Sequence, residues 1–227
     1  MTARADVQTA AAAAAAISRN LARSLADSDA RTAPFPHWLL ADVLPLEAAR
    51  AIAALPLPPA ISGDTDGKRD TFNQQRVFLA GDRLRDPVCR ALAVALQAPE
   101  TVHRLEAHCA AALGGTYLRI EYCQDTGGFW LEPHTDIGAK RFTMLIYLSQ
   151  GAAAADWGTD LYDGALDHAG RAPAGFNRGL IFVPGPGTWH GFRPRDIRGV
   201  RRSLIVNYVG PEWRARHELA FPTAPIV

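Results

Sequence analysis

The sequence predicts a mainly β domain, a sandwich or barrel, with helices contributed by its first half. From Thr116 onward, short β-prone runs alternate with Gly, Pro and Asp turns: "TYLRIEYC", "FWLEPHTD", "FTMLIYLS", "TDLYD", "GLIFVP", "TWHGFR" and "RRSLIVNYV". Strands this short and closely spaced belong to a sandwich or barrel, not to an alternating α/β sheet. Before Thr116 the apolar residues recur at helical spacing instead. With 227 residues, 48% of them hydrophobic, the chain suffices for one domain with an appended helical layer.

Taken in order, residues 10–16 are all alanine and are followed by Ile17, Leu21 and Leu25 at four-residue spacing, with Asp6 upstream. That pattern predicts an amphipathic helix and not a cationic secretory leader. A short extended piece follows, then a helix with Pro45 near its first turn, ended by Pro56, Pro58 and Pro59. "QRVFLAG" reads as a strand. "RDPVCRALAVALQ" opens a helix on Asp86 as N-cap with Pro87 at the first helical position, and "PETVHRLEAHCAAAL" runs to the stop at Gly114-Gly115. The predicted organisation is an Ala-rich helix over 1–33, a helical support region with one or two strands over 34–115, the β core over 116–210 and a tail over 211–227. The polar loop at 61–75, with Asn73, Gln74 and Gln75, is a candidate lid.

Composition excludes several classes. Lys and Arg total 24 against 23 Asp and Glu, so neither nucleic acid nor an anionic membrane is expected as a partner. No apolar run approaches the roughly 18 residues of a membrane-spanning helix. Cys89, Cys109 and Cys123 lack zinc or disulfide spacing and are expected as small buried side chains in a reducing cytoplasm. Basic charge is almost all arginine, with Lys68 and Lys140 the only lysines, a bias typical of GC-rich bacterial coding. "VPGPGTWHG" lacks the ending of a phosphate loop and reads as a turn.

The chemistry concentrates in "EPHTDIG". His134 is the one histidine that begins a His-x-Asp, and in a strand residues i and i+2 face one side, so its imidazole and the Asp136 carboxylate converge. His190, in "GTWHGFRP", is the candidate third ligand. Two imidazoles and a carboxylate form a facial triad that leaves open positions on Fe(II); zinc accepts the same set, so ligand identity leaves the metal open. Eleven residues beyond His190, "GVRRSLIVNYV" alternates so that Arg201, Ser203, Ile205 and Asn207 share one face and Arg202, Leu204, Val206 and Tyr208 the other. An inward arginine needs an anion to meet it, and a carboxylate-bearing cosubstrate answers that need, with Ser203 adding a hydrogen bond.

Together "YLRIEYCQDTGGFWLEPHTD", "RFTMLIYLS", "GTDLYD", "GLIFVPGPGTWHGF" and "GVRRSLIVNYV" resemble, in order, the core motifs of the Fe(II)/2-oxoglutarate-dependent dioxygenases, in particular their prolyl 4-hydroxylase-like branch. The resemblance covers residues 117–209. It implies a double-stranded β-helix (a cupin-like jelly roll) with the N-terminal helices packed on one sheet. It further implies iron bound by His134, Asp136 and His190, and 2-oxoglutarate held by Arg201, Tyr147, Tyr122 and Ser203, with Arg202 the rival to Arg201. The implied activity couples O₂ and oxidative decarboxylation of 2-oxoglutarate, to succinate and CO₂, to hydroxylation of a C–H bond in a small-molecule or peptidyl substrate. A carboxylate at Asp136, where the family's halogenases have a small residue, favours hydroxylation.

Phe129 and Trp130 are candidates for lining the substrate pocket, whereas Arg141, Arg193 and Arg195 read as solvated. Two rival readings stand beside the oxygenase: a cupin-like metalloenzyme that is not an oxygenase, which leaves Arg201 without a purpose, and a noncatalytic sensing or binding module on the same fold.

Overall fold

The computed structural model describes residues 2–59, 66–68 and 76–227, with side chains described from residue 10 onward. Helix α1 (Thr2–Ala26) is followed by the hairpin β1 (Asp29–Arg31) and β2 (His37–Leu40), helix α2 (Leu46–Ala53), strand β3 (Val77–Phe78) and helices α3 (Pro87–Gln97) and α4 (Pro99–Cys109). The β-rich half comprises β4 (Tyr117–Asp125), β5 (Leu131–His134), β6 (Lys140–Tyr147), β7 (Asp160–Tyr162), β8 (His168–Arg171), β9 (Arg178–Phe182), β10 (His190–Phe192) and β11 (Arg201–Val209). Among the described residues no helix is long and apolar enough to cross a membrane.

The strands form two antiparallel sheets, one ordered β1-β2-β9-β6-β11-β4-β3 and the other β5-β10-β7-β8. This is the predicted jelly roll. The helical half also contributes to it directly, since β1, β2 and β3 close the two edges of the larger sheet.

Period-2 alternation divides the larger sheet into two chemically distinct faces. Leu118, Ile120 and Tyr122 of β4, Phe142, Met144 and Ile146 of β6, and Leu204, Val206 and Tyr208 of β11 join Ile17, Leu21, Leu25, Leu92, Leu96 and Leu105 in one buried cluster. That cluster fastens the helices to the sheet; burying each such side chain contributes about 1.5–3 kcal/mol before entropy is counted. The opposite face carries Arg119, Glu121, Cys123 and Asp125 on β4 in register with Asn207, Ile205, Ser203 and Arg201 on β11. Thr143, Leu145 and Tyr147 of β6 continue that row. The polar face looks toward the smaller sheet, where Leu145, Leu180 and Phe182 pack with Leu161 of β7.

Local signals explain most boundaries. The Asp86 carboxylate accepts hydrogen bonds from the Val88 and Cys89 amides, with Pro87 in the first turn of α3. Helix α4 ends five residues before Gly114: Ala110 adopts a left-handed conformation (φ 52°), and the Glu106 carboxylate accepts the Leu113 amide (2.8 Å). A local side-chain cap therefore stops this helix ahead of the glycine pair. Strands β1 and β8 are additions to the sequence reading.

Candidate metal centre

The two histidines meet because β5 and β10 pair antiparallel with His134 directly opposite His190. Gly191 permits the close approach: a Cβ there would come within 2.9 Å of the Leu131 carbonyl oxygen and 3.0 Å of that of Glu132. The imidazole centroids are 4.5 Å apart. His190 also lies against Phe182 of the larger sheet, at 4.7 Å between centroids.

Each imidazole is held by the backbone two residues upstream of it. Nδ1 of His134 is 2.8 Å from the Glu132 carbonyl oxygen, and Nδ1 of His190 is 2.9 Å from that of Thr188. A carbonyl only accepts, so Nδ1 carries the proton in both rings and the Nε2 lone pairs are left for a cation, the usual arrangement behind metal-binding histidines. Burial holds the His190 pKa down at about 4, with His134 acting in the same direction and Asp136 opposing. The ring is therefore neutral near pH 7, the form that ligates metals.

Asp136 reaches this region by a route other than strand parity. Strand β5 ends at His134, so Asp136 stands in the following loop. Its buried carboxylate accepts a salt bridge from the Lys140 ammonium at Oδ1 and a 2.6 Å hydrogen bond from the Thr143 hydroxyl at Oδ2. Burial alone would raise its pKa; Lys140, His190 and these hydrogen bonds outweigh that and take it well below the usual carboxylate range. His134, Asp136, His190 and Lys140 all line one cavity of about 290 Å³, whose other walls include Thr159, Leu145, Ile205 and Trp213.

Among the described residues no three His, Cys, Asp or Glu side chains already converge on one cation position. The donor set nonetheless suits one: two imidazoles that each spend Nδ1 on a backbone carbonyl, and a carboxylate that already holds a cationic group, Lys140 Nζ, in the same cavity.

On the polar face, β11 places Arg201 inward, opposite Asp125. Arg202 lies on the helix side, in a depression with Ala53 and Gln150. The anion expected beside Arg201 is already supplied by the protein: its Nη1 pairs with Asp125, its Nε donates to the Trp157 carbonyl at 2.8 Å, and its guanidinium covers the Phe192 ring at 4.6 Å. Tyr147 is inward and its hydroxyl donates to Thr159 Oγ1 at 2.9 Å. Ser203, fully buried, has an Oγ with no hydrogen-bond partner among the described residues. An orphaned buried hydroxyl costs about 1–3 kcal/mol, which a bound carboxylate oxygen removes.

Three further expectations change. Tyr122 stands in register with Leu204 and belongs to the helix-side cluster, its hydroxyl 3.4 Å from the Ala53 carbonyl; it does not face the cavity. Phe129 packs with Trp157, Phe192 and Ile197, and Trp130 lies against Gly67, where a Cβ would meet its ring at 2.7 Å; neither lines the metal-side cavity, whereas Gly67 does. Arg195 is buried instead of solvated: it pairs with Asp160 and sits over Phe192 at 4.2 Å. Desolvation, with a contribution from Arg201, lowers its pKa to about 10, leaving it cationic at neutral pH. The candidate lid at 61–75 lies outside the described residues except for Asp66, Gly67 and Lys68.

Lys140, Thr159, Asp125 and Trp213 were not found by sequence reasoning. Only Lys140 carried a signal, as one of two lysines in the chain, placed four residues after the carboxylate of the His-x-Asp.

In comparisons with known proteins, no family model and no curated sequence matches the chain. Solved structures do. A prolyl-4-hydroxylase from Pseudomonas putida superposes with a TM-score of 0.55 at 16% identity, covering 86% of this chain and 94% of that one. A prolyl 4-hydroxylase from Phytophthora capsici gives 0.56 at 16% identity, covering 89% and 67%. A Trichoplax adhaerens prolyl hydroxylase, solved with a peptide fragment of the oxygen degradation domain of hypoxia inducible factor, gives 0.55 at 13% identity, covering 92% and 94%. The chain thus has the fold of these prolyl hydroxylases.

Proposed function

We propose that the protein is an Fe(II)- and 2-oxoglutarate-dependent oxygenase that hydroxylates a C–H bond of a small molecule or a peptidyl residue. The observation that carries this reading is the facing pair His134 and His190. Both rings are committed through Nδ1 to backbone carbonyls, and both line one cavity with a deeply acidic Asp136. Iron held by these three side chains would supply O₂ activation, while the protein positions the reactants and shields them from water.

Arg201, Tyr147 and Ser203 are the residues proposed to hold 2-oxoglutarate. The support is the orphaned Ser203 hydroxyl together with a cation that already meets one carboxylate, Asp125. A cosubstrate carboxylate would share or replace that partner, and Arg195 offers a second buried cation beside Tyr147 and Arg201. Likeness to hydroxylases, one of them solved with a peptide, supports hydroxylation and keeps peptidyl substrates among those to be screened.

One observation favours a second reading. Because Asp125 neutralises Arg201, a metalloenzyme on this fold that uses no 2-oxoglutarate no longer leaves that arginine purposeless. Succinate formation separates the two. Purified protein supplied with Fe(II), ascorbate, O₂ and 2-oxoglutarate is expected to form succinate, faster with substrate present, and His134→Ala to form none. Metal-loaded protein that leaves 2-oxoglutarate untouched across a broad substrate screen would favour the second reading.

A further inference from the structure

A chain of hydrogen bonds runs from Asp136 across the polar face of the larger sheet to the far end of the cavity. Thr143 Oγ1 on β6 donates to Asp136 Oδ2 at 2.6 Å. Asn207 Nδ2 on β11 donates to Thr143 Oγ1 at 2.9 Å. Arg119 Nη1 on β4 donates to Asn207 Oδ1 at 3.0 Å. The same guanidinium donates to Glu121 Oε2 at 3.0 Å and to Glu218 Oε2 at 2.6 Å, and Arg76 closes on Glu121 with bonds of 2.9 and 2.6 Å.

The chain has one polarity. A guanidinium has donors only, so the Asn207 amide must turn its oxygen to Arg119 and its nitrogen to Thr143. Thr143 Oγ1 therefore accepts from Asn207, and its single proton goes to Asp136 Oδ2. The carboxylate is left with Oδ1 for a cation, and Oδ1 is the atom that Lys140 meets. Arg119 cannot rotate to relax the chain: it is fully buried, and its guanidinium lies 4.7 Å from the Phe78 ring and 5.1 Å from that of Trp213. Opposite charges alternate along this end of the chain: Arg119 meets Glu121 and Glu218, and Glu121 meets Arg76.

From this we infer that Thr143, Asn207 and Arg119 are positioning residues of the metal centre: they commit Asp136 Oδ2 to the protein and present Oδ1 alone as a one-oxygen ligand. The inference rests on the reading of His134, Asp136 and His190 as metal ligands. The same chain ends at Arg76 and Glu121, which line the cavity with Asp136, so the carboxylate is anchored to the wall on which a substrate would rest.

Mn(II), which binds such sites without redox chemistry, is the probe. Binding to the wild-type protein, Thr143→Ser and Thr143→Val is measured by the loss of the free-ion electron paramagnetic resonance signal, with near-ultraviolet circular dichroism confirming the fold. The serine variant keeps the donor and is expected to bind within about threefold of wild type, whereas the valine variant keeps the shape and is expected to bind roughly 10- to 100-fold more weakly. Asn207→Asp, which places an acceptor where Thr143 finds a donor and so draws the hydroxyl proton away from Asp136, is expected to weaken binding likewise; it serves as the test if the valine variant does not fold. A folded valine variant that binds as wild type does, or serine and valine variants weakened alike, would overturn the inference while leaving the metal centre standing. Wild-type protein that binds no Mn(II) would overturn both.

Discussion

His134 and His190 face each other across the β5–β10 pair with centroids 4.5 Å apart, and both rings spend Nδ1 on a backbone carbonyl two residues upstream. The shared register and the shared tautomer leave two Nε2 lone pairs in one cavity. Replacing His190 by Ala is therefore expected to lower Mn(II) affinity by at least about 100-fold, since one of the three proposed ligands is lost. Thermal unfolding of the metal-free protein should change far less. Equal metal affinity in the variant would place the ion elsewhere.

Lys140 holds Asp136 Oδ1, the oxygen proposed for the metal, so on that proposal the two compete. Lys140→Met removes a charge-assisted hydrogen bond that contributes about 1.5–3 kcal/mol in the metal-free protein. Metal affinity is expected to rise about tenfold, the equivalent of about 1.4 kcal/mol, while the metal-free variant melts at a lower temperature. Weaker Mn(II) binding in Lys140→Met would mean that the ammonium assists the metal instead of preceding it.

Asp125 holds the cation proposed for 2-oxoglutarate. Asp125→Asn strips Arg201 of its buried partner, a change that costs about 3–5 kcal/mol when nothing replaces it. The variant is expected to melt well below wild type alone and to gain more from added 2-oxoglutarate than wild type does. Arg201→Ala should raise the KM for 2-oxoglutarate at least about tenfold. A cosubstrate-induced melting shift no larger in Asp125→Asn than in wild type would assign the carboxylate to Arg195.

Cys89 and Cys109 are buried free thiols. Burial pushes both pKa values from 9.0 up to about 12, Asp86 adding to the effect at Cys89. The folded state keeps these protons after the unfolded chain has lost them, so their contribution to stability is intact below pH 9 and disappears as pH rises toward about 12. Both thiols should resist iodoacetamide at pH 8 in the folded protein and react promptly in guanidinium. Replacing both by Ala should flatten the alkaline fall in melting temperature; an unchanged fall would assign it to other groups.

How far the sequence foretold this molecule follows from its periodicities. Alternation in "RRSLIVNYV" separates Arg201 and Ser203 from Arg202 and Leu204, and the structure keeps that division because the apolar half is bound to the helices. The same alternation in "YLRIEYC" puts Tyr122 with Leu118 and Ile120. Its parity was legible, but a motif match drew Tyr122 inward instead. Partners distant along the chain left no local trace. Asp125 meets Arg201 only through the β4–β11 register, and Asp136, in the loop after β5, is held by Lys140 and Thr143 of β6. Nothing near Arg195 in sequence announces Asp160, the partner that draws it in from solvent.

The proposed activity requires the protein to bind Fe(II) and 2-oxoglutarate together. Anaerobic addition of 2-oxoglutarate to the Fe(II)-loaded protein, followed by visible absorption, tests it most directly. A weak visible charge-transfer band that saturates at one cosubstrate per chain, and is absent in His134→Ala, is the predicted result. Folded, Fe(II)-loaded protein that develops no such band at saturating 2-oxoglutarate would contradict it.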